Sequence, residues 1–108
     1  MSRELEQSTS TGNVFEDLGL ADSGELMAKA KLAAQISSII QHRHLTQAAA
    51  AEVLGISQPR VSDLIRGRLD RFSLVSLLQF LLALDRDVEI VVRKKPRSRK
   101  QAHLSVAA

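Results

Sequence analysis

Apolar residues change their spacing along the 108-residue chain, and each change marks an element. From Asp22 to about Arg43, Leu26, Ala30, Ala33, Ile36 and Ile40 recur at three- and four-residue intervals, with Leu32 and Ile39 beside them. That period predicts a helix, and Asp22 with Glu25 has the arrangement of a capping box at its start. A second helix is predicted after Thr46 and ends at Gly55, and a third follows Ser57 and ends at Gly67. Pro59 stands in the first turn of the third, where a missing N–H costs nothing. Ser73 caps a fourth helix, "LVSLLQFLLAL", which is apolar nearly all round and must be covered on several sides. After the turn at Asp85-Arg86 the period becomes two. Val88, Ile90 and Val92 alternate with Glu89, Val91 and Arg93, which predicts a single β-strand. Residues 1–12 are polar and expected to be a disordered arm. "NVFEDLGL" carries Val14, Phe15, Leu18 and Leu20 and suits a short docking segment. Residues 96–108 read as an unstructured basic tail, so the folded domain is expected to span 13–95.

The interruption "GISQPRVSDLIRG" explains itself if two short helices meet at a steep angle, as in a helix-turn-helix. Such a crossing needs a small residue, and Ala51 stands four before Gly55. The turn needs a residue tolerant of positive φ, which Gly55 supplies, and Ile56 can pin it to the core. On the third helix Val61 and Leu64 form the stripe to be buried. Gln58, Ser62 and Arg66 lie on another face, with Pro59 and Asp63 adjoining. Those side chains suit base edges and phosphates, so the motif 46–66 would hold one helix outward for a major groove.

Charge sharpens this expectation. Residues 1–56 carry four Lys/Arg against seven Asp/Glu, whereas residues 57–108 carry eleven against five. Basic asymmetry of this kind favours an anionic partner such as nucleic acid. Six of those eleven cations lie in "RKKPRSRK", where a solvated tail is the bland alternative. The chain has no Cys, so no thiolate metal site or Cys nucleophile is available. His42 and His44 point to different faces of a helix end and have no further ligands beside them, so no metal is expected. No nucleophile–base–orienter set appears. We therefore expect no enzyme, no cofactor and no membrane span, and a cytoplasmic location.

"LTQAAAAEVLGISQPRVSDLIRGR" resembles the helix-turn-helix of the Xre/Cro-repressor family, matching at Thr46-Gln47, Ala51, Leu54 through Gln58, Val61-Ser62 and Gly67. The resemblance implies a mainly α fold, a four-to-five-helix Cro/repressor-like bundle, here carrying one C-terminal β-strand. It also implies a sequence-specific repressor. Gln47 would bond a phosphate and Gln58 a base edge, helped by Pro59 and Ser62. Ser57, Arg60, Arg66 and Arg68 flank the recognition helix and complete the candidate DNA-binding set. Asp63 departs from the longer polar or basic residue of many relatives, and its carboxylate suits a cytosine amine or a salt bridge to Arg60 or Arg66. The flanks "GNVFEDLGL" and "FSLVSLLQFLLALDRDVEIVV" more loosely resemble HigA-type antitoxins, which would add a small toxin protein as partner. The alternative is a stand-alone Xre-type regulator without one.

A lone strand cannot satisfy its own backbone, and the fourth helix is too apolar for the surface of so small a domain. Both are explained if two copies associate through 73–94, with Leu77, Leu81, Leu84, Val88, Ile90 and Val92 at the junction. The alternative is a strand folded back on its own subunit. A two-fold homodimer would match a palindromic operator in double-stranded DNA.

Overall fold

The structure is a computed structural model that describes the backbone of residues 20–107 and side chains from Gly24 onward. Among the described residues four helices form: α1 (Leu20–His42), α2 (Gln47–Leu54), α3 (Gln58–Ile65) and α4 (Leu74–Ala83). The polar arm 1–12 and the Val14–Leu18 segment lie outside the described residues. The described residues fall into two compact units, one formed by Lys29–Arg93 and the other by the described residues up to Ala28 together with those from Lys94.

Within the first unit, Leu32, Ala33, Ile36 and Ile40 bury one stripe of α1. Ala33, Ile36 and Ile40 follow the three-and-four spacing, whereas Leu26 and Ala30, expected on the same stripe, are exposed. The helical backbone already includes Leu20, Ala21 and Asp22, so the helix begins before Asp22, which is not the expected N-cap. Helix α2 packs against α3 and, less extensively, against α4. Thr46 Oγ1 accepts from Ala49 N at 3.0 Å, and Ser57 Oγ accepts from Arg60 N at 3.4 Å. At α4 the cap is reciprocal: Ser73 Oγ accepts from Ser76 N at 3.0 Å, and Ser76 Oγ accepts from Ser73 N at 3.1 Å. Each of these bonds satisfies an N–H that the helix itself leaves without a partner.

The four helices end alike. His44, Gly55, Gly67 and Asp85 take the left-handed conformation, with φ of 55°, 72°, 77° and 63°. The next residue then donates back across the last turn: Leu45 N to Ile40 O, Ile56 N to Ala51 O, Arg68 N to Asp63 O and Arg86 N to Leu81 O. This pattern satisfies the last carbonyls. A side chain in that region is strained, and glycine is not. Asp85→Gly is therefore expected to stabilise the chain by about 0.5 kcal/mol, the relief exceeding the extra freedom gained by the unfolded state. Thermal unfolding should show a rise of about 2–4 °C.

From Asp85 to Lys95 the described chain forms no strand, contrary to the alternation of Val88, Ile90 and Val92. A ladder needs a second backbone, and none of the described residues supplies one. Ile90 and Val92 stay 74% and 91% exposed. In the second unit, a Cβ on Gly24 would lie 3.3 Å from the Leu104 carbonyl oxygen. That close approach of Leu104 gives a reason for glycine inside a helix, where it otherwise costs about 1 kcal/mol.

Candidate nucleic-acid interface

The hinge between α2 and α3 is built by backbone chemistry. The Ala51 carbonyl accepts from both Gly55 N at 2.8 Å and Ile56 N at 3.1 Å, and Gly55 reverses the chain. Ala50 and Ala51 are both buried, which lets α2 pack closely at this crossing. Motif spacing points to Ala51 alone, yet Ala50 is the more deeply buried. Ile56 is half-buried beneath the turn.

On α3, Val61 and Leu64 are completely buried, which fixes the helix's rotation. Gln58 and Pro59 are consequently exposed at its N-terminal end, with Arg66 exposed at the other. Gln47 is exposed at the start of α2. Together with Ala48, Glu52 and Gly55, residues Ser57 and Gln58 line a shallow open groove where the two helices meet. Ser62 and Asp63 are half-buried. Ser57 is exposed, but its oxygen is engaged as the N-cap.

Two of the expected phosphate contacts have other partners. The Arg60 guanidinium lies 4.5 Å from the centre of the Phe72 ring, and Nη2 donates to the Arg71 carbonyl at 3.3 Å. Stacking on an aromatic face stabilises a cation by about 0.5–1 kcal/mol at a partly exposed site. Arg60 thus ties α3 to the loop before α4. Asp63 pairs with Arg68 at 4.0 Å, rather than with Arg60 or Arg66. Arg68 is well exposed and Asp63 partly so, and the pair contributes about 0–1 kcal/mol.

Phe72 organises this junction, although motif spacing does not single it out. It is 2% exposed and meets Phe80 edge-to-face, with centroids 6.0 Å apart. The sequence does hold a signal: Phe72 precedes the Ser73 cap and Leu77 lies at the fourth helical position, the spacing of a hydrophobic staple. Both are buried.

The residues expected at a dimer junction divide. Leu77, Leu81 and Leu84 lie in the chain's own core, so they are unavailable to a second copy. The outer stripe of α4 is Val75, Leu78, Gln79 and Leu82, with Leu78 half-buried and Val75 and Leu82 62% and 55% exposed. Val88 is half-buried, while Ile90 and Val92 project into solvent.

Among the described residues no group of His, Asp and Glu could hold a metal, and no helix is long and apolar enough to cross a membrane. No curated protein matches the chain. Residues 14–93 match the model of a helix-turn-helix domain family. A solved chain named an XRE family transcriptional regulator is 50% identical, with a TM-score of 0.75 over 81% of this chain and 98% of its own. With the hinge, the buried stripe and the outward helix in place, the chain belongs to the XRE family of helix-turn-helix regulators.

Proposed function

We propose that the protein is a sequence-specific DNA-binding repressor that acts as a homodimer. The observation that carries this reading is the rotation of α3: burial of Val61 and Leu64 leaves Gln58 and Pro59 outward at the leading end. Side chains at that end of a recognition helix are the ones that reach base edges in a major groove. Gln58 would pair with adenine through its amide, and Pro59 would present an apolar surface to a thymine methyl. Gln47, Ser62, Arg66 and Arg68 would contact phosphates or the groove rim, with Arg68 exchanging Asp63 for a phosphate. Arg60 would act indirectly, by holding α3 against Phe72.

The second copy would cover Val75, Leu78 and Leu82 on α4, together with the segment bearing Ile90 and Val92. Pairing of residues 88–92 across the two-fold axis would supply the missing strand partner. Repression follows from occupancy of a promoter-proximal operator. An antitoxin role rests on the resemblance of two flanks alone, and a small toxin encoded next to this gene would support it.

The reading is tested by enriching random duplexes on the full chain. A palindrome with half-site centres about 34 Å apart, one helical turn, is expected. Enrichment of no common sequence would overturn it.

A further inference from the structure

We infer that the basic segment 93–100 is a second, sequence-independent contact with duplex DNA, one that supplies more of the phosphate neutralisation than the helix-turn-helix does. The inference rests on the reading of the protein as a DNA binder but not on which side chain reads the bases.

The helix-turn-helix is poorly charged for its task. Residues 46–72 hold four Arg against Glu52, Asp63 and Asp70, a net charge of +1. Of those Arg residues, Arg60 is engaged with Phe72 and the Arg71 carbonyl, and Arg68 with Asp63. Arg66 and Arg71 remain as exposed cations in this stretch. On duplex DNA each phosphate that a cation neutralises adds about 0.9 to the slope of log K against log salt. The motif therefore offers only two or three such cations per chain.

Residues 93–100 have the opposite balance. Arg93, Lys94, Lys95, Arg97, Arg99 and Lys100 stand within eight positions, and no Asp or Glu occurs from residue 90 to 108. The segment is also locally organised. Arg99 N donates to the Pro96 carbonyl at 3.2 Å, closing a turn. Lys95 Nζ donates to the carbonyls of Pro96 and Arg99, and Arg99 Nη1 donates to the Gln101 carbonyl. Lys95 and Arg99 therefore brace the turn, while Arg93, Lys94, Arg97 and Lys100 are exposed. Four exposed cations around one braced turn, with no acidic side chain following in sequence, suit a phosphate backbone better than a base edge.

The test uses the full chain and a random-sequence duplex of about 30 base pairs, with binding measured from about 50 to 200 mM KCl. The variant R93Q/K94Q/R97Q/K100Q keeps the two bracing residues. Its slope of log K against log salt should be shallower by about 0.9 for each phosphate that is no longer neutralised, or about 3–4 for each chain bound. The charge-preserving variant R93K/R97K should keep the wild-type slope. An unchanged slope in the four-fold Gln variant would overturn the inference. Wild-type binding to phosphatidylserine vesicles, abolished in that variant, would then reassign the segment to an anionic surface. The two readings fail separately. If the wild type selects an operator but the slope does not move, this inference falls alone. If no operator is selected but the slope does move, the base-reading assignment falls and this one stands.

Discussion

Replacing Phe72 with Ala should lower the unfolding free energy by about 3–5 kcal/mol, the cost of truncating a buried aromatic side chain. The ring is covered on one side by Phe80 and on another by the Arg60 guanidinium, so the substitution opens a cavity and removes both contacts. A domain of this size has only about 5–15 kcal/mol in all. Thermal unfolding should therefore fall by about 15–30 °C. Arg60→Ala should cost far less, about 1 kcal/mol, and should weaken operator binding through the position of α3. A Phe72→Ala protein destabilised by less than about 1 kcal/mol would show that the ring does not organise the junction between α3 and α4.

Breaking the proposed dimer should have the largest effect on function. Leu82→Asp combined with Ile90→Asp places two charges on surfaces already exposed in a single chain. The fold should tolerate this within about 0.5 kcal/mol per site, as surface substitutions usually do. In a dimer the same groups would lie in an apolar layer, where an unpaired charge is costly. The variant should sediment as a monomer with near-normal thermal stability. One recognition helix reads only a half-site, so operator affinity should drop by about 10³-fold or more, towards non-specific binding. Leu81→Asp makes the contrast, because Leu81 is buried in the chain itself and that variant should unfold. A dimeric L82D/I90D protein with full operator binding would place the second-copy interface elsewhere.

Much of this architecture is legible in the sequence because it is written in local chemistry. Thr46, Ser57 and Ser73 cap three helices, and Gly55 and Gly67 end two of them. Val61 and Leu64 leave α3 only one face on which a buried stripe can form. By contrast, α4 is apolar nearly all round, so its pattern cannot say which of two stripes faces inward. Leu77, Leu81 and Leu84, expected against a partner, fill the chain's own core instead, and Val75 and Leu82 remain outside. The β-strand at 88–92 fails for a related reason. Alternation describes a strand's faces but does not supply the neighbour that a strand requires. His44 is hidden as a helix stop, because the left-handed position is usually occupied by glycine. Arg60 has the place of a phosphate contact on α3. Its commitment to Phe72 depends on a loop that returns to the helix, which linear spacing does not reveal.

The central claim is that α3 reads sequence through Gln58, and equilibrium binding of Gln58→Ala to the enriched operator and to random duplex, at one fixed salt concentration, tests it most directly. A loss of about 1–3 kcal/mol is expected on the operator, with random-duplex affinity nearly unchanged. Equal losses on both duplexes, or no loss on either, would contradict it.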